Sequence, residues 1–152
     1  MSDLVFVDTN VFVYDRDASE GKKQPLAREW LRVLWERRLG RTSIQVLNEY
    51  YVTVTRKLSP GLPATEAWED VESLITWDPV AIDEALLRVA REIESSVGSS
   101  WWDSLILAAG RVAGCSLLLT EDMQDGQVIG DTRVVNPFTH TPSEVLSRSA
   151  GR

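Results

Sequence analysis

Three short apolar runs, separated by much longer amphipathic stretches, constrain the fold of this chain more than any other feature of its sequence. Residues 4–7, 116–119 and 132–135 are short and rich in β-forming side chains, so each run predicts a buried strand. Apolar residues recur at helical spacing in most of the segments between them. Strands that alternate with helices favour a parallel sheet covered by helices. The sequence therefore predicts the α/β class, as a three-layer α/β/α sandwich around a mainly parallel sheet.

The helical segments have recognisable start and stop residues. Pro25 suits the first turn of a helix, Gly40 suits its end, and Ser43 is a candidate N-cap of the next helix. The predicted helices cover residues 25–39, 43–58, 65–75, 83–93 and 102–113. The mostly polar stretch 9–24 is expected to form a loop or a broken helix.

The length of 152 residues predicts a single domain. We expect this domain to span residues 1–138, and a polar tail, either part of the same domain or disordered, to span residues 139–152. The N-terminal residues lack the basic and apolar regions of a signal peptide. No segment approaches the roughly 20 apolar residues of a membrane span. A cytoplasmic protein without a membrane partner is therefore expected.

The composition limits which side chains can carry chemistry. One cysteine and one histidine exclude a disulfide framework, a Cys-rich zinc site and a pair of histidine ligands. The formal charge of −7 disfavours a protein that grips nucleic acid by neutralising phosphates alone. An enzyme that acts on phosphates with a bound cation remains open, because the cation supplies positive charge. Carboxylates must then carry most of the chemistry.

Two acidic residues follow predicted strands. Asp8 comes directly after the first apolar run, and Asp122 comes shortly after the second. Because ligands of parallel sheets bind beyond the carboxyl ends of the strands, Asp8 and Asp122 are expected at one rim. The simpler interpretation assigns each acid to a turn, an Asx-type turn for Asp8 and the acidic turn before Gly126 for Asp122.

Two further acids lie on predicted helices. Glu49 is about 200° around its helix from the apolar stripe, so solvent exposure is its simplest interpretation. Asp103 lies in the first turn of a helix that is apolar over most of its circumference, which places an acid beside the core. Ser100 and Asp103 have the spacing of a capping box, so a helix cap is the alternative for Asp103.

Four carboxylates that converge at one rim would repel each other, and some would have to bind protons. A hard divalent cation with oxygen ligands removes this conflict, which favours Mg²⁺ or Mn²⁺ over zinc. The acids in question are Asp8, Glu49, Asp103 and Asp122.

Taken in order, these motifs resemble the PIN-domain ribonucleases, and most closely the VapC-type toxins of bacterial toxin–antitoxin pairs. The matching segments are Phe6-Val7-Asp8-Thr9-Asn10-Val11, Asn48-Glu49, Trp102-Asp103, Leu118-Leu119-Thr120-Glu121-Asp122 and Val135-Asn136-Pro137-Phe138. The resemblance implies a metal-dependent endoribonuclease that hydrolyses RNA phosphodiester bonds, a homodimer, and a cognate antitoxin that covers the active site.

The resemblance also implies roles for individual residues. The quartet that would bind Mg²⁺ or Mn²⁺ and activate water is Asp8, Glu49, Asp103 and Asp122. Asn10 and Thr120 would orient those acids or the scissile phosphate. Asp125 matches a position that is often acidic in this subgroup, and would be an auxiliary metal ligand.

Two other functions remain open from the sequence. A haloacid-dehalogenase-type phosphatase also begins with an apolar strand that ends in Asp, but it needs a general acid two residues later, where this chain has Asn10. A PIN-like scaffold that binds RNA or protein without cleaving would need a neutral residue at one or more acidic positions, and all four are acidic here.

Residues outside the acidic motifs carry expectations about contacts. Trp30 and Trp35 lie about 140° apart on one helix, so at least one is expected at a dimer or antitoxin interface. His140 is expected to be exposed. The basic residues expected to help near the rim are Arg16, Lys22, Lys23 and Arg28.

Overall fold

The computed structural model describes residues 3–146. In this part of the chain, strands β1–β5 are Val5–Val7, Gly40–Arg41, Leu117–Leu119, Val128–Ile129 and Thr132–Val135. Helices α1–α7 are Thr9–Arg16, Lys23–Arg37, Ile44–Val52, Ala64–Ile75, Glu84–Val97, Trp101–Val112 and Pro142–Val145. A π-helical segment, Thr53–Lys57, continues α3.

The strands form one sheet in the order β2-β1-β3-β5-β4. The pairs β1–β2, β1–β3 and β3–β5 are parallel, and only β4 runs antiparallel to its neighbour within the described residues. The register pairs Val7 with Leu119 and Leu119 with Val135. The strands β1, β3 and β5 therefore end at the same edge of the sheet, and the predicted α/β/α sandwich is confirmed.

The central strands are buried because helices cover the sheet. All three residues of β1 are inaccessible to solvent. Gly110 of α6 lies against Phe6, where an added Cβ would be 3.6 Å from the Phe6 Cβ. Helix α5 packs along α6, while α1 contacts both α2 and α3. This packing leaves the carboxyl ends of the strands beside the N-termini of α1 and α3.

Helix α1 gives structure to a stretch expected to be a loop or a broken helix. Asp8 caps it by accepting a hydrogen bond from the Thr9 backbone N–H, and the side chains of Val11 and Phe12 are buried. Its polar residues are used on several sides, since Asn10 and Tyr14 reach the segment after β3 whereas Arg16 pairs with α4, so the apolar spacing of a surface helix is absent from the sequence. Further on, the helices cover the predicted segments, with Ser43 and Asp83 as N-caps.

The described part of the C-terminal tail packs on the domain. The indole N–H of Trp30 donates to the backbone carbonyls of Pro137 and His140, at 3.1 and 2.9 Å. Helix α7 contacts α2, and Leu146 is buried. The rest of the tail predicted for residues 139–152 lies outside the described residues. Among residues 3–146, no helix combines the length and apolar character that crossing a membrane requires.

Candidate active site

Asp8 and Thr120 meet where two neighbouring parallel strands end. Asp8 follows β1 and Thr120 follows β3, and the hydroxyl of Thr120 donates to Asp8 Oδ2 at 2.9 Å. The other carboxylate oxygen accepts from the Thr9 backbone N–H at 2.7 Å. Asp8 is only 8% exposed, so both oxygens have fixed partners in a largely buried setting.

Asn10, in the first turn of α1, brings Asp122 to the same place. Its Nδ2 donates to Thr120 Oγ1 at 3.1 Å and to Asp122 Oδ2 at 3.0 Å. The Asp122 backbone N–H also donates to Thr120 Oγ1, at 3.1 Å. Asp8, Asn10, Thr120 and Asp122 therefore form one continuous hydrogen-bonded network.

The amide oxygen of Asn10 is buried and has no hydrogen-bond partner among residues 3–146. The orientation of the amide is fixed, because Asp122 accepts only and a flipped amide would place two oxygens against each other. A buried acceptor without a donor is rare in proteins and indicates a missing water or ion.

Glu49 joins this network through Thr9. The capping residue Ser43 starts α3, and Glu49 lies near the end of its second turn. The Thr9 hydroxyl donates to Glu49 Oε2 at 2.9 Å, and Gln45 Nε2 donates to Oε1 at 3.2 Å. Glu49 is exposed, as expected, but its carboxylate is held in place. We refer to Asp8, Glu49 and Asp122 as the acidic cluster.

The pKa of Asp8 records this environment. It is raised from 3.8 to about 6, mainly because the carboxylate is buried. The charges of Asp122 and Glu49 also raise the pKa, while the hydrogen bonds from Thr9 and Thr120 lower it. Three carboxylates thus interact electrostatically at the sheet edge, which is the repulsion that the sequence predicts for such a cluster.

Asp103 stands apart from the acidic cluster. Its backbone N–H donates to Ser100 Oγ at 3.1 Å, so Ser100 caps α6 as predicted. The Asp103 carboxylate makes no hydrogen bond or ion pair within residues 3–146, and the return bond of a capping box is missing. It lines a cleft of about 270 Å³ together with Met123 and Gln124, which follow Asp122. Hydrogen bonds therefore link Asp8, Glu49 and Asp122 into one network, whereas Asp103 lies outside it on an adjacent cleft.

Asp125 contacts the segment after β5. Its Oδ1 accepts from the Asn136 backbone N–H, and its Oδ2 accepts from His140 Nε2, both at 2.8 Å. These two hydrogen bonds lower the pKa of Asp125. His140, expected to be exposed, has a side chain that is 35% exposed and is bound to Asp125.

Most of the basic residues expected near the rim form ion pairs with carboxylates. The ion pairs are Arg16 with Glu66 and Asp70, Lys23 with Glu121, and Arg28 with Asp15. Lys22 is exposed and has no ion-pair partner in the described part of the chain. Three of these four cations are therefore not free to neutralise a phosphate.

The donor atoms at the sheet edge suit a hard divalent cation. Within residues 3–146, no three His, Cys, Asp or Glu side chains already converge into a metal-binding group. The acidic cluster and the unpartnered amide oxygen of Asn10 nevertheless offer oxygen donors alone, with no nitrogen or sulfur donor. Oxygen donors are the preferred ligands of Mg²⁺ and Mn²⁺. The residues present therefore fit such a cation by their chemistry.

Comparison with known families agrees with this architecture. The model of the PIN domain matches residues 5–124. The chain belongs to the PIN domain family. The PIN domain match contains all four predicted acids and ends just before Asp125. The family predicted from the sequence motifs is confirmed, and a search of curated proteins finds no significant match.

Solved structures share the PIN fold with this chain. A toxin–antitoxin complex from Klebsiella pneumoniae has a TM-score of 0.63 at 17% identity, covering 88% of this chain and 97% of the other. VapC20 of Mycobacterium tuberculosis, a sarcin–ricin loop cleaving toxin, has a TM-score of 0.54 at 18% identity, covering 75% of this chain and 86% of the other. At such low identities the likeness concerns the fold.

The sequence predicts Asp8, Asn10, Thr120 and Asp122 as site residues and Lys23 as a basic residue near the rim. It does not predict the contacts by which Thr9, Tyr14 and Lys23 organise the site. Thr9 links Asp8 to Glu49, while Tyr14 and Lys23 hold the neighbour of Asp122, Glu121. Thr9 lies inside the first matching motif, so its position was a usable signal. Tyr14 and Lys23 reach Glu121 across about a hundred positions, and no local pattern announces such a contact.

Proposed function

We propose that this PIN domain is a metal-dependent endoribonuclease that hydrolyses RNA phosphodiester bonds, and that it is the toxin of a toxin–antitoxin system. The observation that carries the proposal is the network in which Thr120 and Asn10 tie Asp8 to Asp122 at the carboxyl edge of the sheet, with Glu49 attached through Thr9. Membership of the PIN domain family supports it.

The residues that would hold Mg²⁺ or Mn²⁺ are Asp8, Glu49, Asp103 and Asp122. A bound divalent cation supplies positive charge for the phosphate and lowers the pKa of water. The need for such charge follows from the net charge of −7 and from the ion pairs that occupy Arg16, Lys23 and Arg28. The role of Asp125 as an auxiliary metal ligand stays a prediction. Both of its carboxylate oxygens already accept hydrogen bonds, from the Asn136 backbone N–H and from His140.

The chain's own side chains prepare the site for in-line attack of water on phosphorus. Thr120 and the Thr9 backbone N–H fix the Asp8 carboxylate, and Asn10 fixes one oxygen of Asp122. The other oxygen of Asp122 and the Asp103 carboxylate make no hydrogen bond within residues 3–146, so they are free to orient water. Hydrolysis would leave a 5′-phosphate and a 3′-hydroxyl.

We further propose that the protein acts in the cytoplasm as a homodimer with a cognate antitoxin. The shared fold of the Klebsiella pneumoniae toxin–antitoxin complex supports the antitoxin, and the shared fold of the RNA-cleaving toxin VapC20 supports the substrate class. The exposed Trp35 on α2 offers apolar surface for one of these contacts.

The phosphatase alternative is disfavoured by the position of Asn10. A general acid would have to stand two residues after Asp8, but both amide hydrogens of Asn10 are donated to Thr120 and Asp122. Asn10 therefore holds two acidic motifs together and has no proton to transfer.

The test is cleavage of labelled RNA by the purified chain with Mn²⁺, with Mg²⁺ and with EDTA. We expect cleavage only with a divalent cation, and products that carry a 5′-phosphate. Asp8→Asn and Asp122→Asn should abolish cleavage, whereas Asp131→Asn, in the exposed turn between β4 and β5, should retain it. Full activity of Asp8→Asn, purified free of contaminating nuclease, would refute the proposal.

A further inference from the structure

Helix α1 holds the segment after β3 at two points. Asn10 and Tyr14 are four residues apart and therefore lie on one face of α1. Asn10 donates to Thr120 and Asp122, and the Tyr14 hydroxyl donates to Glu121 Oε1 at 2.6 Å. One helix thus fixes three consecutive residues, of which the last belongs to the acidic cluster.

Glu121 is an additional acid between two residues of the site, and its side chain is only 19% exposed. Lys23 Nζ donates to Glu121 Oε2 at 2.9 Å, so both oxygens of this carboxylate have partners. The carboxylate in turn raises the pKa of Lys23, which keeps the ammonium charged. The charge of Glu121 is therefore balanced by Lys23, and its carboxylate is held by Tyr14, one helical turn along α1 from Asn10. Glu121 does not add an unbalanced charge beside the acidic cluster.

The position of the Lys23 ammonium is itself restricted by aromatic rings. Nζ lies 4.8 Å from the ring centre of Tyr14 and 5.3 Å from that of Phe138. The two rings pack edge to face with centroids 5.1 Å apart. Cation–π attraction and the Glu121 carboxylate therefore hold the ammonium from two sides. We name Tyr14, Lys23, Glu121 and Phe138 the lysine box.

We propose that Tyr14 and Lys23 are positioning residues of the RNA-cleaving site, which act by holding Glu121 and thereby fixing the backbone that carries Asp122. The inference rests on the proposed function. Groups that orient metal-binding side chains change metal affinity or activity by about 10- to 100-fold when they are removed. The lysine box would orient Asp122 in this way, because it holds Glu121, and Glu121 and Asp122 share a peptide bond.

The test compares Lys23→Met and Tyr14→Phe with the wild-type chain. Methionine keeps an apolar stem against the rings without the charge, and phenylalanine keeps the ring without the hydroxyl. We expect each variant to lower kcat for RNA cleavage about 10-fold or more, with KM changed less than about 3-fold. The Mn²⁺ concentration that gives half of the maximal rise in Tm should increase about 10-fold.

A matched control and a second substitution separate positioning from general stability. Arg88→Met breaks the exposed ion pair of Arg88 with Glu84 on α5 and should leave kcat and the Mn²⁺ response unchanged. The double variant Lys23→Met/Glu121→Gln removes the charge that Lys23 no longer neutralises. It should cleave RNA faster than Lys23→Met alone, since glutamine still accepts the Tyr14 hydroxyl.

Each other result contradicts the inference in a recognisable way. Unchanged kcat and Mn²⁺ response in Lys23→Met would overturn it, as would losses in the double variant that simply add. A raised KM with a weaker salt dependence, at unchanged kcat, would assign Lys23 to an RNA phosphate and also overturn it. If Lys23→Met does not fold, Tyr14→Phe decides. Failure of the proposed function is separate, because it appears as full activity of Asp8→Asn.

Discussion

Thr120 donates its hydroxyl hydrogen to the carboxylate of Asp8 across 2.9 Å, although the two residues are 112 positions apart in the chain. The same oxygen accepts from the Asn10 side chain and from the Asp122 backbone N–H. It is buried and lies where two parallel strands end. A single hydroxyl group therefore sets the distance between the first and the last acidic motif.

Replacing Thr120 by valine should damage both stability and activity. Valine keeps the shape of the side chain but leaves buried polar groups of Asp8 and Asn10 without their partner, which costs about 2 kcal/mol or more of unfolding free energy. RNA cleavage should fall at least 10-fold because Asp8 loses a hydrogen bond and Asp122 loses one of its two anchors. Denaturant unfolding and cleavage assays measure the two effects. Thr120→Ser keeps the hydroxyl and should retain most of both, and a stable, active Thr120→Val would contradict the assignment.

Asp8→Asn should stabilise the protein in the absence of divalent cations, and the gain should depend on pH. The pKa of Asp8 is raised from 3.8 to about 6, so the folded chain binds this proton more tightly than the unfolded chain does. Raising the pH through this range therefore removes stability, and the loss is complete about one pH unit above the folded pKa. The shift corresponds to at most about 3 kcal/mol.

The measurement is thermal unfolding of wild-type and Asp8→Asn protein in EDTA between pH 4 and pH 8. The difference in Tm should be largest above pH 6 and should vanish toward pH 4. Asp131→Asn, which changes an exposed carboxylate, provides the control and should show no such trend. A difference that grows as the pH falls would mean that the pKa of Asp8 is lowered in the folded protein.

Asp103→Asn should separate helix capping from metal binding. Ser100 provides the cap of α6, and the Asp103 carboxylate makes no hydrogen bond within residues 3–146, so the change in stability should be below about 0.5 kcal/mol. If Asp103 helps to hold the cation, RNA cleavage and the Mn²⁺-induced rise in Tm should both collapse. Metal-dependent turnover that persists in the folded variant would return Asp103 to a structural role.

Gly40→Ala should destabilise the fold through Trp77. An added Cβ at Gly40 would lie 2.4 Å from the Trp77 ring, which is buried between the rings of Phe12 and Trp35. Because the ring cannot move aside freely, we expect a loss of about 1–3 kcal/mol in denaturant unfolding. Gly21→Ala, where nothing lies within 4 Å, is the matched control and should be neutral or slightly stabilising. Equal stability of the two variants would show that Trp77 has room.

Trp35→Ala should weaken association of the protein. Trp30 is buried, whereas Trp35 is 41% exposed beside Trp77, so only Trp35 meets the expectation of an interface residue on α2. A central aromatic residue at an interface contributes about 2 kcal/mol or more, which is roughly 30-fold in dissociation constant. Sedimentation of the chain alone and with the proposed antitoxin measures the effect. Trp68→Ala, on α4, is the control. If both variants associate as tightly as the wild-type protein does, α2 is excluded from the interface.

The fold could be predicted well where regular patterns repeat. The strands β1, β3 and β5 are short apolar runs, and the amphipathic spacing of α3 to α6 gave their positions and the capping role of Ser43. Two elements had no such signal. The strand β4 has only two residues. The polar residues of α1 have partners on several sides, at the site and on α4, so the pattern of this segment suggested a loop. Tertiary contacts, which a local pattern does not contain, decide both.

The site could be predicted as far as strand ends determine it. Parallel strands that end in Asp8 and near Asp122 bring these acids to one edge of the sheet. The resemblance of the sequence motifs to PIN-domain ribonucleases also predicted Asn10 and Thr120 as site residues. Which carboxylates carry partners is a different matter, because a partner is chosen by three-dimensional packing. Asp125 pairs with His140 and Glu121 pairs with Lys23. The Asp103 carboxylate has no hydrogen-bond or ion-pair partner within residues 3–146.

The long separation between Asp8 and Thr120 orders events during biosynthesis. A ribosome makes β1 early, but β3 and the hydroxyl that anchors Asp8 follow only after 112 further positions. Until then, the emerging polypeptide has Asp8 and Glu49 but no Asp122 to complete the acidic cluster. The complete acidic cluster therefore arises in one late step. A nascent chain that is still being translated therefore lacks part of the set of groups that the proposed cleavage of RNA requires.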